Sequence, residues 1–278
     1  MIPITGRTVT VGVMGSPVRH SLSPQLHNAA FEALGIDARS LAFPVAPSSG
    51  VAAVDAMRTL GIRGLSVTMP HKEAVLAGVD TRSPVVDALG AANCLVNDDG
   101  VITAHNTDGD GFVRSLLVEQ GIDLSGRRVA LIGAGGAARS VAEAVGRAGV
   151  ADLAIMNRTP ARADAAVAVG GPAARVAGAD AVADAEIIVH ATSLGMAVDD
   201  PLPVSVDHLH AGQLVVDLVY RPLRTALLTS AAACGATTIN GVAMLLHQAA
   251  IQLELWTGED APIEAMRMAV IDEMDAAG

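Results

Sequence analysis

The chain has 278 residues, 51% hydrophobic and 17% charged. That suffices for one large or two modest domains with a real core, and leaves little room for disordered tails. Eighteen basic against 29 acidic residues give a formal net charge of −11, which argues against nucleic-acid or anionic-membrane partners but not against a small anionic ligand held by a few arginines. With one Trp, one Tyr and three Phe, neither a base-stacking surface nor an aromatic cage is expected.

Taken in chain order, Thr8–Met14 alternates Val9, Val11 and Val13 and reads as a strand, not as a cleavable signal. Ser23-Pro24 then starts a helix over Pro24–Leu34, a capping hydroxyl followed by proline at the first helical position. A helix is expected over Gly50–Leu60 and a strand over Leu65–Thr68. Cys94–Val96 and Val101–Ala104 form a hairpin joined by Asn97-Asp98-Asp99-Gly100. Polar and glycine residues at Asn106–Gly111 mark a boundary before a fresh helix. Beyond it, strands Arg128–Ile132, Leu153–Met156, Ile187–His190 and Leu214–Asp217 alternate with helices Ala137–Ala148, Pro160–Val169, Leu223–Ala233 and Val242–Trp256. The segment after Asn240 is helical to the end and is expected to pack back on the first half, with Leu245, Ile251 and Leu255 as its core face. The fold class is α/β in two lobes, with parallel sheets covered on both faces. No run approaches ~18 uninterrupted apolar residues, so a membrane span is not expected. Cys94 and Cys234 are far apart and in no metal-ligand spacing, which points to reduced thiols in a cytoplasmic protein.

One motif is specific. Arg128–Ile132 runs into Gly133-Ala134-Gly135-Gly136-Ala137-Ala138 and then a helix, a G-x-G-x-x-A in the strand–turn–helix setting of a dinucleotide fingerprint. Gly133 makes the tight turn, Gly135 admits a pyrophosphate close to the backbone, and Ala138 lets helix and strand approach. The next strand ends in Asn157-Arg158-Thr159, with Arg162 one turn on, where an NAD site would place an acid. Guanidinium groups there suit a 2′-phosphate, so NADP is the expected cofactor. Asp152, at the other end of that strand, is out of reach.

In the first half, polar clusters follow strands: Ser21-Leu22-Ser23, Thr68-Met69-Pro70-His71-Lys72, Asn93 and Asn106-Thr107-Asp108. Each alone has a plain explanation as a cap, a surface lysine or a turn former. Together with the glycine loop they resemble the shikimate dehydrogenase family. Gly15-Ser16-Pro17-Val18-Arg19-His20-Ser21-Leu22-Ser23-Pro24 is similar to its N-terminal substrate motif, and Ser66-Val67-Thr68-Met69-Pro70-His71-Lys72-Glu73 to its lysine motif. Gly90-Ala91-Ala92-Asn93, Asn106-Thr107-Asp108-Gly109, Asn157-Arg158-Thr159, Ala191-Thr192-Ser193, Asp217-Leu218-Val219-Tyr220, Gly241 through Gln248 and Leu255-Trp256-Thr257-Gly258 follow in order.

The resemblance implies an NADP-dependent, reversible reduction of 3-dehydroshikimate to shikimate in aromatic amino acid biosynthesis. Ser21 and Ser23 would bind the substrate carboxylate. Thr68, Asn93, Asp108, Tyr220 and Gln248 would bind ring hydroxyls, and Lys72 with Asp108 would handle the proton. Gly133, Ala134, Gly135, Gly136 and Ala137 would hold the pyrophosphate, and Asn157, Arg158, Thr159 and Arg162 the 2′-phosphate. Leu218 and Gly241 would lie beside the nicotinamide. A substrate domain of residues 1–107 plus 243–278 would carry an inserted Rossmann-type NADP domain, 108–242. The expected partner is the small-molecule substrate, with no nucleic acid, no membrane and no metal, in a monomer or homodimer.

Ser66, Met69, Ala92, Cys94 and Ala243 depart from the family's usual residues without removing an assigned polar group. Asn106–Gly111 begins like a calcium loop, but Leu117 stands where its glutamate belongs. His20, His71 and His105 lack zinc-ligand spacing, and Cys94 reads as a strand residue rather than a nucleophile. The rival readings are a quinate/shikimate dehydrogenase and a catalytically weak NADP-binding paralogue.

Overall fold

The structure, a computed structural model, describes residues 3–197 and 199–276. In chain order the elements are β1 (Val9–Gly15), α1 (Ser23–Leu34), β2 (Ala38–Pro44), α2 (Gly50–Thr59), β3 (Gly64–Val67), β4 (Thr81–Arg82), α3 (Pro84–Leu89), β5 (Cys94–Asp98), β6 (Val101–His105) and α4 (Asp108–Gln120). Then come β7 (Arg128–Ile132), α5 (Gly136–Arg147), β8 (Asp152–Met156), α6 (Pro160–Val169), β9 (Ala174–Val176), α7 (Ala181–Asp184), β10 (Ile187–His190), β11 (Leu214–Asp217), α8 (Ala226–Ala233), β12 (Thr237–Ile239), α9 (Val242–Thr257) and α10 (Ile263–Ala276). The chain divides into two compact units, Met1–Thr107 with Leu246–Gly278, and Asp108–Leu245.

The first unit is built on a sheet of order β2-β1-β3-β5-β6-β4. It is mixed rather than parallel: β1 pairs β2 and β3 in parallel, whereas β3–β5 and β5–β6 are antiparallel. The cause is the expected hairpin. Asp99 and Gly100 have φ of 50° and 92°, the twist a two-residue turn needs to reverse the chain. Met14, Val67, Leu95, Ile102 and Ala104 meet Val54 and Met57 of α2 in the core. The buried face of α9 runs Leu246, Ala249, Leu253, Trp256, one position displaced from the expected Leu245, Ile251 and Leu255, which are only partly buried. The displacement brings Gln248 and Gln252 inward, as polar groups with partners described below. Trp256 is the anchor: its Nε1–H donates to the Leu95 carbonyl at 3.0 Å, and its ring lies where a Cβ on Gly64 would stand.

The second unit holds a wholly parallel sheet of order β12-β11-β10-β7-β8-β9. Counted from β7 this is 3-2-1-4-5-6, the doubly wound dinucleotide arrangement, whose order reverses between β7 and β10. Successive strand residues serve opposite faces: Val129, Leu131, Leu153, Ile155, Ile187 and Val189 pack with α4, α5 and α6 residues, and Ala130, Ile132, Ile188 and Val215 with Val182, Leu227, Leu228 and Ala231. Such double-sided burial explains why these strands read as continuous apolar runs. The division between the units falls between Thr107 and Asp108, within the Asn106–Gly111 stretch, and α4 begins at Asp108. Glycine is tolerated there because a Cβ on Gly109 would meet the Ser140 carbonyl at 2.2 Å, so Gly109 sets the spacing of α4 and α5. Among the described residues, no helix is long and apolar enough to cross a membrane.

Candidate active site

In the first unit the polar residues gather where strands end. The β3 carboxyl end leads into Thr68, whose N–H donates to Met14 O at 2.9 Å, and Val67 N–H donates to Asn93 O at 2.7 Å. Asn93 is buried. Its Oδ1 accepts from Thr107 N–H at 2.7 Å, and its Nδ2 donates to Thr107 Oγ1 at 3.0 Å and to Gln248 Oε1 at 3.4 Å. Gln252, one turn along α9, donates from Nε2 to Gln248 Oε1 at 2.9 Å and to Asn93 O at 3.2 Å. Four side chains thus converge in one polar cluster, and a buried cluster so interlinked holds its side chains in fixed orientation. Lys72 is half-buried beside it, tied through its own carbonyl, which accepts from Ala92 N–H at 2.8 Å.

Ser21 and Ser23 come together as a pair, Oγ to Oγ 3.2 Å. The expected capping role of Ser23 is corrected: Leu22 is the N-cap of α1 and makes no side-chain cap. Ser23 already lies within the helix, and it is the Ser21 hydroxyl that accepts from the Ser23 N–H, at 3.3 Å. Two hydroxyls, one just before the helix and one in its first turn, are therefore presented at the head of α1, where helix N–H groups also favour an anion. His71 is fully buried and its Nε2 lies 3.0 Å from Val45 O. Cys94 is a buried β5 residue whose thiol pKa is pushed up by burial, an inert environment.

In the second unit the glycine turn behaves as its residue types require. Gly133 has φ of 118°, and a Cβ there would lie 2.8 Å from Ala191 O. Gly135 is the N-cap of α5 and makes no side-chain cap. A Cβ at Gly135 or Gly136 would meet nothing within 4 Å. The helix start is thus an open cradle lined by uncapped N–H groups, which fits a pyrophosphate. Beyond β8, Asn157 Nδ2 donates to Thr159 O at 3.0 Å, fixing the turn into α6. Arg158 and Arg162 are exposed and, among the described residues, their guanidinium groups have no ion-pair or hydrogen-bond partner. Asp152 at the opposite end of β8 is taken by Arg175, bidentate at 2.7 and 2.8 Å. The positions expected to carry a 2′-phosphate therefore fit one. Gly241 is packed on Leu218, whose carbonyl would be 2.1 Å from a Cβ there, so the structure brings these two together. Tyr220 is partly buried, and burial raises its phenol pKa, Arg221 lowering it in part. Asp108 is buried in the first turn of α4, a favourable place for a carboxylate.

Sequence reasoning left Thr107, Gln252, His190 and Asp217 without roles. For Gln252 a signal existed: it lies four residues after Gln248, on the same helix face.

Residues 13–95 match the model of the shikimate dehydrogenase substrate binding domain, residues 116–217 that of shikimate / quinate 5-dehydrogenase, and residues 241–271 that of the shikimate 5′-dehydrogenase C-terminal domain. A shikimate dehydrogenase (NADP(+)) of Moorella thermoacetica is 44% identical over 99% of this chain and 97% of its own. Among solved structures, a shikimate dehydrogenase in complex with NADP+ superposes with a TM-score of 0.91 at 35% identity, covering 98% of each chain. The shikimate 5-dehydrogenase of Thermus thermophilus, in complex with NADP(H) and shikimate, has a TM-score of 0.87 at 36% identity, covering 95% of this chain and 99% of that one.

Proposed function

The chain belongs to the shikimate dehydrogenase family, and we propose from this premise that it is an NADP-dependent oxidoreductase that reduces 3-dehydroshikimate reversibly to shikimate. The observation that carries the reading is the open glycine cradle at the head of α5, followed at the end of β8 by two exposed arginines and no acid. Gly133, Ala134, Gly135, Gly136 and Ala137 hold the pyrophosphate, and Asn157, Arg158, Thr159 and Arg162 hold the 2′-phosphate. Leu218 and Gly241 flank the nicotinamide. When bound, NADP(H) supplies or accepts the hydride.

Residues 1–107 with 243–278 form the substrate domain, and residues 108–242 the NADP domain. Ser21 and Ser23 donate hydroxyls to the substrate carboxylate, while Thr68, Asn93, Asp108, Tyr220 and Gln248 bind the ring hydroxyls. Lys72 as ammonium gives its proton to the carbonyl oxygen in reduction, and as amine takes it from the hydroxyl in oxidation. Asp108 shares with Lys72 the handling of that proton. The enzyme acts in the cytoplasm as a monomer or homodimer.

Saturation curves with shikimate and NADP+ test the reading directly, and turnover is expected; none would reduce the protein to a cofactor-binding paralogue. Quinate as second substrate separates the quinate branch. It carries an extra hydroxyl beside the carboxylate, next to the Ser21–Ser23 pair, and a buried hydroxyl without a partner costs about 1–3 kcal/mol. Shikimate is therefore expected to be favoured by about 10- to 100-fold in kcat/KM, and equal values would move the chain to the quinate/shikimate group.

A further inference from the structure

His190 ends β10 and Asp217 ends β11, neighbouring parallel strands in register at these two residues. On its other side β10 pairs with β7, so His190 lies beside the strand-order reversal. Both side chains are 0% exposed. Asp217 Oδ1 is 2.8 Å from His190 Nδ1 and accepts from Val219 N–H at 3.1 Å, while Oδ2 accepts from Thr225 Oγ1 at 2.6 Å. A carboxylate so surrounded only accepts, so His190 Nδ1 carries a proton. Nε2 lies 2.5 Å from Thr192 Oγ1, which in turn accepts from Leu194 N–H at 3.1 Å. Thr192 is seated on the glycine turn: a Cβ on Gly133 would be 3.1 Å from Thr192 Cγ2. One imidazole therefore joins the end of β11, immediately before Leu218, to the turn that backs Gly133.

We propose that His190 is a positioning residue of the dinucleotide site, its imidazole locking the Ala191–Leu194 turn and the start of the Leu218 segment into the shape the cofactor meets. The inference rests on the glycine turn being the NADP cradle. It asks for no direct contact between His190 and any ligand. The Asp217 bond orients the ring and the Thr192 bond transmits that orientation to the turn, in the way an outer partner fixes the group that does the binding.

The test uses the full chain and NADPH as probe. Thr192→Val keeps volume and removes the hydroxyl; Thr192→Ser restores it; Thr229→Val makes the same change on α8, where the hydroxyl donates to Thr225 O at 3.0 Å. His190→Leu removes both ring bonds, and Thr192→Val stands in for it if that variant does not fold. Thr192→Val is expected to raise the NADPH Kd, read by fluorescence titration, by about 5- to 30-fold. Thr192→Ser should return most of that loss, Thr229→Val should leave Kd unchanged, and the KM for shikimate at saturating NADP+ should stay within about twofold in all three. A Kd unchanged in Thr192→Val, or an equal rise in Thr229→Val, overturns the positioning role while leaving the cofactor reading intact. Failure of the unmodified chain to bind NADPH overturns both.

Discussion

Arg158 is exposed at the end of β8 and, among the described residues, has no carboxylate partner, so its guanidinium is available for a forked pair with a doubly charged phosphate. A charge-assisted contact of this kind is worth roughly 1.5–3 kcal/mol, or about 10- to 100-fold in kcat/KM. Arg158→Ala is therefore expected to remove most of the preference for NADP+ over NAD+ and to leave the NAD+ constants nearly unchanged. Parallel saturation curves with the two cofactors check this, and a preference that survives assigns the 2′-phosphate elsewhere. Lys72 is the group whose loss should fall on the chemical step: Lys72→Ala is expected to lower kcat by roughly 10²–10⁴ with little change in shikimate KM. A variant with near-normal kcat would transfer the proton role to another group. His27 tests a different property. It is fully buried against Ser40 and the edge of the Trp256 ring, and burial pulls its pKa down to about 3, the Ala249 backbone offsetting part of the shift. Between that value and ~6.5 the unfolded chain takes up a proton that the folded chain refuses, so stability is lost as pH falls through this window, by up to about 1.4 kcal/mol per unit. Urea unfolding at pH 7 and pH 5 should show about 2 kcal/mol of such loss, and His27→Phe should show that much less. Equal pH slopes in the two proteins would mean that His27 is protonated in the folded state.

Elements differ in how plainly their sequences declare them, and the difference is one of burial. The strands that read as strands, including β7, β10 and β11, are sheet-interior and have apolar residues on both faces. Those left unread, β2, β4, β9 and β12, are the four sheet edges. β2 carries Arg39, Ser40 and the exposed Leu41, and β4 is two exposed residues long. An edge strand pairs on one side only, so its residues need not be apolar and its pattern falls below recognition. Ser23 has a residue type that suits a cap, but the helix starts one residue earlier than a Ser23 cap requires and its hydroxyl accepts from the Ser21 hydroxyl instead. The His190–Asp217 pair was hidden because each ends an apolar run, where spacing announces a strand and not a side-chain partner across it. Gly64 makes the cost of a close element contact measurable. A Cβ there would lie 2.3 Å from Trp256 Nε1, the atom that donates to Leu95 O, so β3 and α9 can approach this closely only through glycine. Gly64→Ala is expected to destabilise the protein by about 1–3 kcal/mol, as overpacking generally does, seen as a lower Tm. A Tm within a degree of the unmodified value would show that α9 shifts freely to accommodate it.

At the scale of the whole molecule, two sheets with separate cores share one chain, the second unit being inserted into the first. That division is why the candidate residues divided as they did. Lys72, Asn93 and Gln248 belong to the first unit, while Asp108, Tyr220 and the glycine turn belong to the second, with the boundary falling between Thr107 and Asp108. A chain so organised need not unfold in one step, because each unit buries its own apolar surface. A ligand that binds only the folded form of one unit raises that unit's stability by RT ln(1 + [L]/Kd), about 2.7 kcal/mol at a hundredfold excess over Kd. If the glycine cradle is the NADPH site, as proposed, NADPH is expected to raise the melting of the second unit by roughly 5–15 °C. Shikimate, most of whose proposed contacts (Ser21, Ser23, Thr68, Asn93 and Gln248) lie in the first unit, should act chiefly on the transition of the first. Differential scanning calorimetry at several NADPH concentrations checks this, with Gly133→Val as a control in which a side chain at φ of 118° meets Ala191 O and abolishes the cofactor-dependent shift. If instead the heat capacity shows a single two-state peak that NADPH moves as a whole, the two units fold as one cooperative block, and the separate cores do not confer separate stability.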